Sequence, residues 1–355
     1  MNIAADADAL WAPLVEHGVA WCAPNANAYA GRLTVHGVAW RILVTRPSVR
    51  NCYVVSATGQ YRDYARDEVR RLPATLPRLA AYASVGALTP ILRRLDPIVV
   101  LGALPVSTVL HTLRPDAEWA SAVDAARREY PGIPIVVRSL DSVASGPTLA
   151  ATSRIGMHLV PSRLVFHQDP RRDEFWRIRN VRRDLALARD SPLVSRQLTA
   201  ADSDRIARLY WLLYGLKHSM LNPRFSAQWL AHGMQSGVLK GEGIVHDGSL
   251  AAAYLSYSVD DVMTNPVFGY DTSLPQRLGL YRRLSLLTLQ SARALGNRIH
   301  ASSGAPGFKS SRGGIATMEY HAVDLRGVRG AQAAAWSLLM RAANAVVPAL
   351  FRAAR

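Results

Sequence analysis

The sequence predicts an α/β (α+β) protein of two tandem domains, each a mixed, mostly antiparallel sheet flanked by helices. Three observations predict this class. Short apolar runs bounded by turn residues alternate with amphipathic helical stretches. The dipeptide Asp247-Gly248 between two such runs is a strong hairpin signal. The 355 residues, 49% of them hydrophobic, are enough for two domains with cores of their own.

In the first half, the apolar runs Val35–Thr45 and Asn51–Ala57 predict a hairpin of two strands joined at Arg46-Pro47-Ser48. The apolar composition of Pro97–Leu104 predicts a buried strand. The elements predicted after it are helix Asp116–Tyr130, strand Ile133–Arg138, helix Asp141–Arg154, and strands Met157–Val160 and Arg163–His167.

The stretch from Pro170 to Asp190 carries seven arginines and predicts a charged helix that connects the two halves. Two interpretations of this helix are open. Its basic face can contact tRNA or a carrier protein, or it can be a solvated surface whose arginines pair with acidic residues of the same helix.

The second half begins with strand Ser195–Leu198, helices Arg205–Tyr214 and Arg224–Gly233, and strands Gly241–Val245 and Leu250–Val259. A short apolar run predicts strand Val267–Asp271, which a loop follows. From Leu280 the apolar spacing predicts an amphipathic helix that stops at Gly296-Asn297. Strand Arg298–Ser303, a short basic turn and a last strand ending at Val323 complete the order.

A loop that enters a helix directly after a strand is a candidate anion site, because the first helical amides are unpaired and the dipole is positive there. The residues in this position are Gln276, Arg277, Gly279, Leu280 and Arg282. Together with the order of elements, the motif Gln276-Arg277-Leu278-Gly279-Leu280-Tyr281 resembles the acyl-CoA-binding core of the GNAT acyltransferase superfamily. In that family the loop reads Arg/Gln-x-x-Gly-x-Gly/Ala and wraps the pyrophosphate of coenzyme A. The last position, Tyr281, departs from the pattern.

A second motif, Gly304-Ala-Pro-Gly-Phe308-Lys309-x-x-Arg312-Gly313, is similar to the Phe-Lys-x-x-Phe-Gly-type ending of Fem-type peptidoglycan aminoacyltransferases and their CoA-using relatives. The resemblance implies two tandem GNAT-like domains and implies that Lys309 helps to hold the activated acyl donor. Lys309 and Arg312 are three residues apart on a short turn, so they are expected to point the same way and together can bind a phosphate or a substrate carboxylate. Lys309 can instead be an ordinary solvated turn lysine. The predicted segments are an N-terminal segment 1–30, a GNAT-like half 31–169, a basic connecting helix 170–193, a catalytic GNAT-like half 194–328 and a C-terminal amphipathic helix 329–355.

The resemblance also implies that an acyl thioester binds where strands Val267–Asp271 and Arg298–Ser303 separate. The attacking amine must lose a proton, and the departing thiolate can gain one. Family members often use a tyrosine as this acid, but Phe308 stands at the corresponding place. Nearby hydroxyl residues are the substitutes, with core packing or a strand-end hydrogen bond as the alternative: Tyr281, Ser302 and Ser303.

Other polar residues are candidates for catalysis or for acceptor binding. Asp271, at a strand end, can orient or deprotonate an amine, or can cap the turn that follows. Glu319 and His321 alternate along the last strand and form either an acid/base pair or a polar face. A polar loop between two helices is expected to select the amine or to be an ordinary loop: Lys217, His218, Asn222 and Arg224.

Lysine and arginine number 42 against 26 aspartate and glutamate, a net charge of +16. Such a charge favours acidic partners such as tRNA, an acyl carrier protein, an anionic membrane surface or a polyphosphate cofactor. Alternatively, the charge is only that of a solvated basic surface.

Two cysteines and no Cys/His cluster predict a cytoplasmic protein without a metal. No apolar run reaches the ~20 residues of a membrane span. The basic helix 329–355 is expected to pack on the protein or a second subunit, or to lie on a membrane.

The resemblance implies a bacterial-type N-acyltransferase that moves an acyl group from acyl-CoA to a small-molecule amine. No Ser-His-Asp or Cys-His signature indicates a covalent intermediate, so direct attack is expected. Two alternatives change the donor to aminoacyl-tRNA or to an acyl carrier protein. A third, which Phe308 favours, is a non-catalytic nucleic-acid- or membrane-binding protein on the same fold.

Overall fold

The structure is a computed structural model that describes residues 3–71, 86 and 88–353. It divides into two compact units whose segments alternate along the chain. The N-terminal unit is drawn from residues 13–163, 218–224 and 318–355, and the C-terminal unit from residues 1–12, 164–217 and 225–317. The predicted domain boundaries remain a prediction.

The strands of the described residues are β1 (Ala28–Val35), β2 (Val38–Thr45), β3 (Val99–Leu101), β4 (Ile135–Leu140), β5 (His158–Gln168), β6 (Val194–Gln197), β7 (Glu242–His246), β8 (Ser249–Val259), β9 (Val262–Tyr270), β10 (Arg298–His300) and β11 (Ile315–Asp324).

The helices of the described residues include α1 (Ile3–His17), α2 (Val19–Cys22), α3 (Ala65–Arg71), α4 (Asp116–Glu129), α5 (Gly146–Arg154), α6 (Asp173–Trp176), α7 (Arg179–Arg189), α8 (Ser203–Tyr210), α9 (Ala227–Gln235), α10 (Leu280–Ala294), α11 (Pro306–Ser310) and α12 (Gly330–Ala353). Two wider helical turns, Gly59–Tyr64 and Trp211–His218, follow a π-helical pattern.

The sheet of the N-terminal unit has the order β1-β2-β3-β4-β11. Strands β3 and β4 are parallel, and the other pairs are antiparallel. The first hairpin closes at His36-Gly37, where both residues have positive φ (48° and 77°), as a two-residue hairpin turn requires. The predicted hairpin at Arg46-Pro47-Ser48 is therefore wrong. The run 51–57 is not a strand, although its residues are buried.

The sheet of the C-terminal unit has the order β5-β10-β9-β8-β7-β6. Strands β6 to β9 are antiparallel neighbours, β9 and β10 are parallel, and β10 pairs antiparallel with the end of β5. Each unit therefore completes its sheet with a strand from a distant part of the sequence. The prediction of mixed, mostly antiparallel sheets flanked by helices is confirmed.

Apolar side chains on the sheet faces and the helices form the cores. In the N-terminal unit Trp40 of β2 meets Trp119 of α4 edge to face, with ring centroids 4.7 Å apart. In the C-terminal unit Leu284 of α10 packs against Tyr254 of β8 and its neighbours. Burial of these apolar surfaces is the main force that holds the helices on the sheets.

The predicted basic connecting segment forms α6 and α7 in the C-terminal unit, where α7 contacts α10. Several of its arginines pair with aspartates, as Arg171 does with Asp169 and Asp261. Such surface pairs fit the interpretation of a solvated helix, although they do not test a role in binding. No described helix combines the length and the apolar character that crossing a bilayer requires.

Candidate functional site

The N-terminus of α10 is built as the sequence predicts. A tight turn, Gln276–Leu278, leads into Gly279, which has φ +62° and is the N-cap residue of the helix. A Cβ atom at this position would lie 2.6 Å from Leu187 Cδ2, so that glycine suits both the backbone conformation and the available space. Within the described residues, the amides of the first three helical residues have no recorded acceptor. Gln276 and Arg277 are exposed beside them.

Two of the predicted donor-binding cations are held by one buried carboxylate. Asp184 of α7 is 2% exposed. Arg312 donates to it through Nε at 2.6 Å and through Nη2 at 3.2 Å, and Arg282 Nε donates at 2.6 Å. Arg312 also stacks on the Phe308 ring at 3.6 Å. This arrangement fixes α10 and the turn after α11 to α7.

Lys309 is buried beneath the end of β10. Its ammonium donates to the carbonyl oxygens of Ala301, Ser302 and Ser303 at 2.6, 3.2 and 2.7 Å. An ammonium has three donors, so a phosphate contact would have to replace one of these bonds. Lys309 and Arg312 contact different groups and do not form the joint anion site that their spacing predicts.

The parallel strands β9 and β10 pair over three residues only, Val262–Thr264 with Arg298–His300. Strand β9 continues to Tyr270, whereas β10 ends at His300. The two strands therefore separate, as the resemblance implies. The separation begins just after Thr264, because β9 starts at Val262 and not at the predicted Val267.

Strand β9 bulges at this point of separation. The register against β8 shifts between Tyr257↔Thr264 and Leu255↔Val267, so that Asn265 and Pro266 oppose a single residue. Proline has no amide hydrogen to donate. The side-chain Oδ1 of Asn265 is buried and has no hydrogen-bond partner in the described structure. A buried polar oxygen without a partner thus belongs to the residue that follows the last paired position of β9.

Asp271 holds the loop between β9 and α10. Its carboxylate accepts from the Ser273 amide at 3.1 Å, from Ser273 Oγ at 2.5 Å and from Arg205 Nη2 at 2.8 Å. These contacts, the Ser273 hydrogen bond first, lower the pKa of Asp271. A carboxylate with a lowered pKa is a weaker base, so the arrangement favours the capping role over deprotonation of an amine.

Tyr281 lies in the first turn of α10 within an aromatic cluster. Its ring contacts Phe268, Tyr270 and Phe308, with centroids 5.3, 6.1 and 4.7 Å away. Burial, reinforced by the charge of Tyr270 and opposed by Arg312, raises the pKa of Tyr281 to about 12. The phenol therefore keeps its proton at neutral pH.

Glu319 and His321 of β11 are both buried, in the N-terminal unit, and not on a solvent face. Glu319 accepts from Arg163 Nε at 2.8 Å and Nη2 at 3.0 Å. His321 Nδ1 lies 3.0 Å from the Tyr61 hydroxyl. Each residue has its own partner, and the described contacts include no hydrogen bond between them.

The predicted acceptor loop divides into exposed and buried residues. Lys217, His218 and Arg224 are exposed. Asn222 is 3% exposed. Its amide donates to the Ser219 carbonyl at 3.0 Å, and its own carbonyl accepts from Asn25 Nδ2 at 2.7 Å. Asn222 therefore shapes the loop, and the exposed residues remain the ones able to meet an acceptor.

Sequence reasoning missed two residues that the structure places at the site. Asp184 carries no local signal, because it is one acid in an arginine-rich helix and its partners lie about a hundred residues away. Asn265 has a signal, because Asn-Pro within an apolar run indicates a bulge or an edge strand.

No protein-family model matches the sequence, and no curated protein matches it either. Solved structures do match. The C-terminal domain (DUF2156) of a protein assigned as a lysylphosphatidylglycerol synthetase from Agrobacterium fabrum superposes with a TM-score of 0.53 at 10% identity, over 95% of this chain and 96% of that chain. FemX superposes with a TM-score of 0.52 at 9% identity, over 84% and 89%. The chain therefore shares the fold of these two structures, and the predicted resemblance to Fem-type proteins is confirmed at the level of the fold.

Proposed function

We propose that the protein is an acyltransferase that moves an acyl group from an activated donor to an amine by direct attack, with acyl-CoA as the donor. The observation that carries the proposal is the N-terminus of α10, where Gly279 has a positive φ and free amides follow it. Unpaired helical amides and the helix dipole favour an anion. A pyrophosphate is the anion that the resemblance implies here.

The topology brings both ends of such a donor to one edge of the sheet. Strand β9 runs into the loop that precedes α10, so its carboxyl end lies at the helix N-terminus. Strand β10 is parallel to β9, so its carboxyl end points the same way and lies level with Thr264, six residues before β9 ends. Ligands of open α/β sheets bind outside the carboxyl ends of parallel strands. A donor with its phosphates at α10 would place its acyl carbonyl where the strands separate.

In the proposed reaction the amine nitrogen forms a bond to the acyl carbon, and the carbon–sulfur bond breaks. The amine loses a proton, and the thiolate of the donor gains one. The Tyr281 phenol, with a pKa of about 12, is protonated at neutral pH and lies in the first turn of α10. We assign it the role of proton donor to the leaving group. Asp271 positions the loop, and Lys309 fixes the end of β10.

A second candidate donor is aminoacyl-tRNA, which the Fem-type resemblance implies. The net charge of +16 favours it, because phosphate contacts dominate nucleic-acid affinity. The structural similarity to FemX and to the lysylphosphatidylglycerol synthetase domain also supports it. In that case the bond that breaks is the ester of the aminoacyl group.

Thermal unfolding with and without ligand tests the proposal. At about a hundred times its Kd, a ligand adds ~2.7 kcal/mol of stability, which corresponds to a Tm increase of about 5–11 °C. We expect coenzyme A and acetyl-CoA to produce such a shift. Arg277→Glu, which adds negative charge beside the free amides, should abolish it. The exposed Arg50, in the N-terminal unit, provides the matched control: Arg50→Glu should retain the shift.

The other outcomes separate the two candidates. The second donor would be supported if aminoacyl-tRNA binds, coenzyme A leaves the Tm unchanged, and Arg277→Glu abolishes the binding of aminoacyl-tRNA. Nucleic-acid or vesicle binding that Arg277→Glu leaves unchanged, with no transfer to any amine tested, would overturn the acyltransferase proposal. It would favour a binding protein on this fold.

A further inference from the structure

The N-terminal unit contains a small cavity, lined by both polar and apolar side chains, that is separate from the residues of the proposed donor site. Its lining includes Tyr53, Gln60, Arg138, His321 and Trp336. The cavity leaves about 10 Å³ for the centre of a water-sized sphere. That is room for one water molecule or one ion of similar size.

Arg138 brings to this cavity a positive charge that has no carboxylate of its own. It is 4% exposed, and its Nη1 donates to the Val54 carbonyl at 2.6 Å. Its Nε has no partner. Among the described residues no carboxylate bonds to Arg138, since the nearby Glu319 is engaged by both bonds from Arg163. A buried cation without a counter-ion is strongly unfavourable.

Two further buried side chains line the same cavity with an unbonded polar atom. His321 Nε2 has no partner, and Nδ1 faces the Tyr61 hydroxyl at 3.0 Å. If that hydroxyl donates to Nδ1, Nε2 carries the ring proton. Gln60 Oε1 has no partner, and the amide contacts Ser162 Oγ at 3.3 Å. A serine hydroxyl donates or accepts, so the Gln60 amide can turn its nitrogen to the cavity.

We propose that this cavity binds one small monovalent anion of halide size, which serves as the counter-ion of Arg138. Arg138, His321 and Gln60, which all line the cavity, would each offer one N–H donor to the ion. A water molecule fits the space as well but leaves the guanidinium charge uncompensated. The size of the cavity excludes a phosphate or an acyl carboxylate.

Diffraction from crystals of the unmodified protein grown in bromide, recorded at the bromine absorption edge, tests the proposal directly. An anomalous peak among Arg138 Nε, His321 Nε2 and Gln60 is the expected result. Density in the cavity without an anomalous signal, as for water, would overturn the proposal, and so would an empty cavity.

Thermal unfolding in sodium chloride against sodium gluconate at equal ionic strength provides a solution test. We expect chloride to raise the Tm of the unmodified protein and of Arg50→Gln, whose substitution is on the surface. Arg138→Gln should lose the chloride dependence. Equal dependence in all three proteins would contradict the proposal. If Arg138→Gln does not fold, the bromide experiment decides alone.

Discussion

Replacing Asp184 by asparagine tests whether the protein itself neutralises the cations next to α10. Asparagine keeps the shape of the side chain but removes its charge and replaces one acceptor by a donor. Arg312, which is 8% exposed, would then be a buried cation facing an amide. Arg282 would also lose its 2.6 Å bond, but its side chain is 39% exposed and is solvated more easily.

The two parts of this cluster contribute unequally. Removing one partner of a buried ion pair costs about 3–5 kcal/mol, whereas a half-exposed pair such as that of Arg282 contributes ~0–1 kcal/mol. Arg312 keeps its bond to the Phe308 carbonyl at 3.2 Å and its stacking on that ring. We therefore expect Asp184→Asn to lower the free energy of unfolding of the C-terminal unit by about 3 kcal/mol. The corresponding Tm decrease is about 6–12 °C.

Hydrogen exchange of the α7 and α10 amides, recorded at increasing urea concentrations, measures this loss of stability in the C-terminal unit. Asp190→Asn is the matched control, because Asp190 also pairs with an arginine, Arg189, but is 64% exposed. The control should change stability little. If Asp184→Asn is no more destabilising than Asp190→Asn, the buried triad does not stabilise the unit. Arg282 and Arg312 would then be available to a donor phosphate.

Three further predictions concern the loop, the pH dependence and the chemistry. Gly279→Ala should lower the free energy of unfolding by about 1–2 kcal/mol, because alanine disfavours a positive φ and its Cβ displaces Leu187; unchanged urea unfolding would contradict this. Burial lowers the pKa of His111 from 6.5 to about 4. Since the unfolded chain takes up this proton first, stability should fall as the pH decreases from about 6.5 to about 4, and urea titrations of His111→Asn should show a shallower fall. Tyr281→Phe keeps the ring packing but removes the proton donor, so kcat should fall about 10²-fold with an unchanged KM for the donor; an unchanged kcat would assign Tyr281 to packing alone.

Local signals in the sequence predicted the elements that frame the site. The helix predicted from Leu280 with a stop at Gly296 is α10, and Gly296 has a positive φ of 70°. The hairpin predicted at Asp247-Gly248 closes β7 and β8, with φ of 48° and 72° at its two turn residues. Apolar periodicity and turn chemistry act over a few residues, so one sequence is enough to detect them.

The strand and the hairpin turn that were wrongly predicted in the first half lie where apolar composition indicates burial but does not determine the backbone conformation. The apolar run that begins at Asn51 is buried, but it forms turns and not a strand. Its apolar composition satisfies a core without specifying a backbone conformation. The turn that closes the hairpin is His36-Gly37, whose two positive φ angles are those of a type I′ turn. Arg46-Pro47-Ser48 cannot supply that geometry, since proline fixes φ near −65°.

Several contacts of the candidate site residues join positions far apart in sequence. Asp184 meets Arg312 across 128 positions, and Glu319 meets Arg163 across 156. No local pattern encodes such a pairing. The strands that complete the two sheets, β5 and β11, likewise come from distant parts of the sequence. The order of elements along the chain does not show which strands they pair with.

These pairings change how the positive charge at the predicted donor site can act. Lys309, Arg282 and Arg312 are bonded to groups of the chain itself, whereas Arg277 is exposed beside the free amides of α10. A coenzyme A pyrophosphate would therefore be held mainly by backbone amides, with few cations to neutralise it. A tRNA would have to use arginines elsewhere on the surface, and each phosphate neutralised adds roughly 0.7–0.9 to the slope of log K against log salt. Coenzyme A is a small anion without the condensed counter-ions of a nucleic acid, so we expect its affinity to fall only slightly between low and physiological salt, as measured by calorimetry. A steep fall in the affinity for coenzyme A with salt would show that these cations break their bonds to Asp184 and to the backbone carbonyls in order to bind the donor. That result would refute this account of the site.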